Sequence, residues 1–136
     1  MDFFIFISEQ WVLVSILMVF VYLFAWTEKN KAGAAVGLHE LTRMVNADEA
    51  VVLDIRDSKD FAEGHIVNAI NIPFNKVAGR VSELNKYKDS TIILVDKMGQ
   101  HTGSVGKQLS REGYTVKRLR GGVAEWSAQN LPLVRT

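Results

Sequence analysis

One short loop of the sequence carries the side chains that are best suited to chemistry. It begins at Asp96, directly after four large apolar residues, and it contains a cation at Lys97 and an imidazole at His101. A continuous apolar run of this kind is typical of a strand buried on both faces. Thr102 is a good N-cap, so we expect a helix to start there with its free N–H groups directed into the loop. Strand, loop and helix N-terminus together predict a site for an anion.

The composition excludes several kinds of chemistry for the whole chain. Its 136 residues include no cysteine, which excludes disulfides, thiolate metal sites and thiol chemistry of the chain's own. The three histidines are far apart and form no ligand-spaced pair, so we expect no metal and no other cofactor. The net charge of +1 is too small and too dispersed to indicate a nucleic-acid partner.

The segments around the loop alternate between helix and strand patterns. We predict helices over residues 38–46, 58–62, 74–87, 102–112 and 123–128, and strands over residues 51–55, 66–72, 92–95 and 114–119. This alternation is typical of an α/β domain with a central, mostly parallel sheet flanked by helices. Ser58 is the expected N-cap of the second helix, and Asn130 is expected to adopt the left-handed conformation after the last one.

Four polar or aromatic residues outside the loop are interpreted as structural. Asp54 lies inside an apolar run, and a buried carboxylate needs an ionic or hydrogen-bonded partner. We therefore take Asp54 and the nearby Arg56 as parts of a structural network. His65 has no serine or cysteine beside it to activate, which favours a hydrogen-bonded turn residue over a catalyst. Trp126 is expected to anchor the core.

The N-terminal segment predicts a membrane anchor. No charged residue occurs between Trp11 and Trp26, and a helix over residues 10–27 would be about 27 Å long, close to the ~30 Å of a bilayer core. Trp11, Tyr22 and Trp26 fit the aromatic belts at the two interfaces. A core helix fits less well, because so small a domain cannot enclose a helix that is apolar all round. A signal peptide fits less well because the preceding flank is acidic.

The distribution of charge predicts the orientation of this anchor. Basic residues near the segment lie only on its C-terminal side, at Lys29 and Lys31, whereas the N-terminal tail is acidic. The positive-inside rule then places the N-terminus outside and the folded domain in the cytoplasm. We assign residues 1–27 to a transmembrane anchor, 28–36 to a linker and 37–136 to the folded domain.

Three segments of the domain resemble the rhodanese family. Residues 51–74, VVLDIRDSKDFAEGHIVNAINIPF, resemble its signature of Asp-x-Arg, Gly-His-Ile and Ala-x-Asn-Ile-Pro. Residues 112–134, EGYTVKRLRGGVAEWSAQNLPLV, resemble its closing half, and TIILVDKMGQHTG at 91–103 lies where the family has its active-site loop. The resemblance covers residues 37–135 and implies a rhodanese-like fold. The whole layout is similar to membrane-anchored, single-domain members of the bacterial inner membrane.

The resemblance also bears on activity. Active members are sulfurtransferases, in which a cysteine at the start of the loop takes sulfane sulfur as a persulfide and passes it to an acceptor. The resemblance places Asp96 at the cysteine position and His101 at that of the usual arginine, while Lys97, Gly99 and Thr102 keep the family pattern. A carboxylate cannot hold a persulfide, so an inactive loop is implied. That degenerate loop consists of Asp96, Lys97, Met98, Gly99, Gln100, His101 and Thr102.

Asp96 is expected to act as an internal anion. Its carboxylate would occupy the anion site, accepting hydrogen bonds from loop N–H groups and from Lys97 or His101. The expected function is that of a protein-binding module at the inner membrane, with the bilayer as one partner, through residues 10–27, and an unidentified protein as the other. Two alternatives stay open: an enzyme that handles sulfur or an oxyanion with loop 96–102, and a sensor of small anions.

Overall fold

The computed structural model describes residues 2–31 and 33–135 and divides the chain into two compact units, which meet between Asn30 and Lys31. The N-terminal unit consists of helices α1 (Phe3–Glu9) and α2 (Trp11–Lys31), with a bend of 80° between α1 and residues 11–27. Within the described residues no helix taken alone is long and apolar enough to cross a membrane, although α1 and residues 11–27 pass that test together.

The predicted linker over residues 28–36 is wrong at both of its ends. Helix α2 continues through Lys31, because Glu28, Lys29 and Lys31 are good helix formers that follow an established helix. Residues Ala34–Val36 form an edge strand, β1, which is ordered by pairing with a strand of the domain. Ala32, between the two, lies outside the described residues.

Within the described residues, the second unit is built on a five-stranded parallel sheet with the order β1-β5-β4-β2-β3. The strands after β1 are β2 (Ala50–Asp54), β3 (Ile70–Asn71), β4 (Thr91–Val95) and β5 (Thr115–Leu119). β4 lies at the centre, paired with β2 on one side and β5 on the other. This position explains its continuous apolar run, since helices cover both faces of a parallel sheet.

The helices complete two halves of a core. They are α3 (Leu38–Asn46), α4 (Ser58–Glu63), α5 (Val77–Arg80), α6 (Thr102–Arg111) and α7 (Gly122–Ala128). Alternate residues of β4 point to opposite faces of the sheet. Ile92 and Leu94 pack in one half with Leu109 of α6. Ile93 packs in the other half with Trp126 of α7. The α/β class and the parallel sheet predicted from the sequence are confirmed.

Three local predictions are wrong. The strand predicted over residues 66–72 is reduced to Ile70–Asn71, because Asn68 adopts a left-handed conformation (φ 64°) within a turn. The helix predicted over residues 74–87 is a short α-helix between two 3₁₀ segments, Phe74–Lys76 and Val81–Tyr87. That stretch contains Asn75, Gly79 and Asn85, which are weak helix formers. Ser58 is the first helical residue, and Asp57 takes the N-cap position without a side-chain hydrogen bond.

Candidate functional site

The loop that follows β4 lies at the carboxyl edge of the sheet, where open α/β folds bind their ligands. It begins at Asp96, directly after the last residue of β4, and leads into α6 at Thr102. Asp96 is only 4% exposed. A buried carboxylate requires partners, and the partners of this one define the site.

The carboxylate of Asp96 is held by backbone donors of its own loop. The N–H of Lys97 donates to Oδ1 over 2.8 Å, and the N–H of His101 donates to Oδ2 over 2.8 Å. Hydrogen bonds from backbone N–H groups to an ionised acceptor are stronger than those between neutral groups. The carboxylate is therefore turned into the loop rather than out to solvent, which is the orientation that the internal-anion hypothesis requires.

The start of α6 differs from the prediction that Thr102 is its N-cap. The N-cap is His101, and Thr102 is the first helical residue. Thr102 is buried, and its hydroxyl donates back to the carbonyl oxygen of Gly99 over 3.1 Å, so that it is not used as a cap. Gly99 has a φ of +87°, which a residue with a side chain adopts only at a cost. These contacts fix the outer turn of the loop.

The N-terminus of α7 holds the other side of the loop. The N–H of Val123 donates to the carbonyl oxygen of Asp96 over 2.8 Å, and the N–H of Ala124 donates to that of Lys97 over 2.9 Å. Gly122 lies against the same backbone: a Cβ built there would stand 2.3 Å from the carbonyl oxygen of Asp96. The close approach of α7 to the loop therefore depends on glycine at this position.

The outward surface of the loop is apolar and basic. Met98 is 62% exposed, and the rings of His101 and Phe74 stack with centroids 3.8 Å apart and planes 2° apart. Phe74 and Lys97 are also exposed. We refer to Phe74, Lys97, Met98 and His101 as the loop rim. Because the carboxylate of Asp96 is turned inwards, this rim presents the cation of Lys97, an imidazole and apolar side chains to solvent.

Asp54 and Arg56 form a network of their own. The Nη2 of Arg56 donates to Oδ2 of Asp54 over 2.7 Å, and its Nε donates to Oδ1 over 2.9 Å. The same Nη2 also donates to the carbonyl oxygen of Gly64 over 2.8 Å. The two side chains thus tie the end of β2 to the end of α4, which is the role expected of a buried ion pair in a structural network.

His65 and Trp126 both form hydrogen bonds to the C-terminal segment, residues 132–134, His65 through its backbone and Trp126 through its side chain. Nδ1 of His65 lies 2.8 Å from the carbonyl oxygen of Phe61, so the proton is assigned to that nitrogen. The backbone of His65 pairs with Val134 in an antiparallel bridge. The Nε1–H of Trp126 donates to the carbonyl oxygen of Pro132 over 2.9 Å. Neither side chain contributes to the hydrogen bonds around Asp96 described above.

Two grooves of the domain help to judge whether a small anion could bind. The larger, of about 920 Å³, is lined by α3, α7 and the end of β5 and includes none of residues 96–102. The smaller, of about 350 Å³, includes Lys97 and Arg56, but Asp60 and Glu63 line it as well. Two carboxylates beside the available cations disfavour an oxyanion in that groove.

Comparison with known proteins identifies the family. The rhodanese-like domain model matches residues 37–129, so the chain belongs to the rhodanese-like domain family. The chain is 36% identical over 131 residues to the uncharacterized protein YibN of Escherichia coli (strain K12), covering 95% of this chain and 90% of that protein. It is 29% identical over 93 residues to a sulfurtransferase of Allochromatium vinosum, covering 68% of this chain and 85% of that protein.

Solved structures agree on the fold. A rhodanese-related protein from Thermoplasma volcanium matches this structure with a TM-score of 0.69 at 22% identity, covering 76% of this chain and 99% of that one. At this level of identity the likeness concerns the architecture alone. The parallel sheet and its flanking helices are therefore those of the rhodanese-like domain family.

The structure adds two residues to the site, Phe74 and Gly122, that the sequence did not assign to it. Phe74 reaches His101 because β3 and β4 end at the same edge of the sheet. Gly122 reaches Asp96 because the turn after β5 brings α7 back onto the loop. The Gly121-Gly122 pair before a helix is the one pattern that could have indicated such an approach. Asp54 and His65, in contrast, have their hydrogen-bond partners elsewhere in the domain.

Proposed function

We propose that this protein is a membrane-anchored, catalytically inactive rhodanese-like domain that binds another protein through the loop rim. The observation that carries the proposal is the carboxylate of Asp96, held by the N–H groups of Lys97 and His101. The family likeness supports a scaffold for sulfur transfer, and this carboxylate takes the place where the resemblance puts the reactive thiol.

The chemistry of Asp96 disfavours both enzymatic alternatives. Sulfur transfer through the protein requires a thiolate nucleophile, and the chain has no cysteine. Handling of an external oxyanion requires free donors, and the N–H groups of Lys97 and His101 already donate to a carboxylate that is attached to the loop. The negative potential of that carboxylate would also repel a second anion at the same place.

The loop rim has the properties of a small protein-binding surface. Met98 is exposed on a loop that β4, α6 and α7 hold in place, and the exposed Phe74 stacks on His101 of the same loop. Lys97 and His101 flank them, while the one carboxylate of the loop is buried. A partner segment with an apolar side chain and a neighbouring acidic group would complement this surface in both shape and charge.

Membrane anchoring is proposed from α2. Its apolar part, residues 11–27, spans about 26 Å at ~1.5 Å per residue, and large apolar side chains such as Leu17, Phe20 and Phe24 are exposed along it. Exposed apolar surface on all sides of a helix favours a lipid environment. The basic residues after Thr27 support, by the positive-inside rule, an orientation with the N-terminus outside the bacterial inner membrane and the rhodanese-like domain in the cytoplasm.

Photo-crosslinking of the full-length chain tests the binding surface. A photoreactive amino acid is placed at Met98, or at Val67, which is similarly exposed at 55% and does not belong to the loop rim. We expect a discrete protein adduct from position 98, weakened by Lys97→Glu, and none from position 67. Equal adducts at both positions, or none at 98, would contradict the proposed surface.

The proposed inactivity has a separate test, which is an assay of the full-length chain for thiosulfate:cyanide sulfurtransferase activity. An activity that depends on Asp96 would contradict the claim of inactivity.

Membrane association has a separate test. After expression of the full chain, we expect it to stay with the inner-membrane fraction during a carbonate wash. We also expect external protease to spare the domain in intact spheroplasts and to degrade it once the membrane is permeabilised. Release by carbonate would contradict the anchor, and cleavage of the domain from outside would contradict the orientation.

A further inference from the structure

Helix α1 has an exposed aromatic surface that neither the fold nor the proposed binding surface uses. Four of its seven residues are large apolar side chains on one side of the helix, and Phe4 is 82% exposed. They are Phe3, Phe4, Phe6 and Ile7. The sharp bend of 80° separates this helix from residues 11–27.

The opposite side of α1 is mixed, because it carries Ile5 beside Ser8 and Glu9. Asp2 precedes the helix as its N-cap, with an extended backbone, and Glu9 is the last helical residue, so a carboxylate lies at each end of α1. Phe3 and Ile7, four residues apart, are neighbours on the other side. A short helix with an aromatic stripe and a carboxylate at each end suits a lipid–water interface better than the bilayer core, where a charge is costly.

We infer that α1 lies along the outer lipid–water interface, with its aromatic stripe in the lipid and Asp2 and Glu9 in water. The inference rests on the proposed membrane anchoring of α2. A membrane-spanning helix is tilted by about 20° on average. A neighbour at 80° to it is therefore close to the plane of the bilayer. Trp11, the first residue of α2, then stands at the interface where tryptophan is enriched.

The kind of lipid surface follows from the charges. The carboxylates of Asp2 and Glu9, at the two ends of α1, are repelled by anionic headgroups, and α1 itself carries no cation. Its attachment therefore depends on insertion of aromatic side chains rather than on electrostatic attraction. A surface rich in zwitterionic phospholipid is the matching partner, and the attachment is expected to change little with salt concentration.

Single labelled cysteines can test this placement, because the chain has none of its own. The variants Phe4→Cys, Glu9→Cys and Val19→Cys of the full-length protein are labelled with an environment-sensitive fluorophore. They are reconstituted into vesicles of phosphatidylethanolamine and phosphatidylglycerol. Quenching by aqueous iodide reports exposure to water. Quenching by brominated lipids, with bromine near the headgroup or near the chain end, reports depth.

We expect the label at position 4 to be shielded from iodide and quenched by shallow bromine, and the label at position 9 to be quenched by iodide. The label at position 19 should be quenched by deep bromine alone. Equal iodide access at positions 4 and 9 would overturn the inference and leave the anchor intact. Shielding of both positions at the depth of 19 would also overturn it, because α1 would then extend the span. Iodide access at position 19 would overturn the anchor itself, and the inference with it.

Discussion

The Oδ2 atom of Asp96 accepts a hydrogen bond from the backbone N–H of His101, 2.8 Å away, and so closes the loop between β4 and α6. Under the internal-anion hypothesis, an external anion would have to displace a group that is attached to the loop and so is always present at high effective concentration. The same bond holds the backbone on which Met98 and His101 present their side chains to solvent. One carboxylate thereby closes the loop and positions the loop rim.

Removal of the Asp96 carboxylate should destabilise the domain. Asp96→Ala leaves two buried N–H groups without their acceptors, and we expect a loss of about 1–3 kcal/mol in the free energy of unfolding. Asp96→Asn retains one carbonyl acceptor and should lose less. Urea denaturation followed by circular dichroism measures both variants. A loss for Asp96→Asn that equals or exceeds that of Asp96→Ala would argue against the role of the two hydrogen bonds.

A thiol in place of the carboxylate should become reactive. In Asp96→Cys the sulfur lies beside backbone N–H groups and Lys97, which favour the thiolate. We expect the thiolate to attack the sulfane sulfur of thiosulfate, forming a persulfide and releasing sulfite, and mass spectrometry should show the addition of one sulfur atom. Ser104→Cys, an exposed position on α6, is the control. Equal modification of both thiols would show that the loop gives no special environment.

Gly122→Ala should separate α7 from the loop. The new Cβ would meet the carbonyl oxygens of Asp96 and Lys97 at 2.3 and 2.7 Å, at a position with a φ of +62°. We expect a loss of about 3 kcal/mol or more from overpacking and backbone strain together. Gly103→Ala, which has open space around it, should be neutral or stabilising by up to about 1 kcal/mol. Similar unfolding midpoints for the two variants would count against the contact.

Arg56→Ala should be among the most damaging substitutions in the domain. The side chains of Arg56 and Asp54 are 9% and 1% exposed, so the variant leaves a buried carboxylate without its cation. Breaking a buried pair in this way costs about 3–5 kcal/mol. Arg56→Lys keeps the charge but loses the two-pronged geometry, and an intermediate loss is expected. Thermal unfolding would speak against this if Arg56→Ala were nearly as stable as the parent chain.

The order and class of the main elements could be predicted because their signals are local. The apolar run before Asp96 is long enough to specify a buried strand, and the spacing of Leu38, Leu41 and Met44 specifies the buried side of α3. The strand predicted over residues 66–72 was wrong because the apolar content of the segment does not reveal the left-handed turn at Asn68. The C-terminal end of the predicted linker was wrong because Ala34–Val36 become a strand only by pairing with β5, and that tertiary contact is not visible in the local sequence.

The site was predictable in its chemistry and less so in its surroundings. The charge and the position of Asp96 after a strand are visible in the sequence, and its backbone donors follow from the loop. The N-cap was misplaced because the hydroxyl of Thr102 bonds to Gly99 rather than to the first turn of α6. The contacts of Phe74 and Gly122 depend on the strand order, which the sequence does not specify.

Calorimetric titration of the full-length chain and of Asp96→Ala with thiosulfate and with phosphate is the most direct test that Asp96 is an internal anion. We expect no binding to the parent chain at millimolar concentrations, because its carboxylate already occupies the site. We expect measurable binding to Asp96→Ala, which falls as ionic strength rises. Binding of either anion to the parent chain at an affinity equal to that of the variant would contradict the internal anion and return the loop to the class of anion-binding sites.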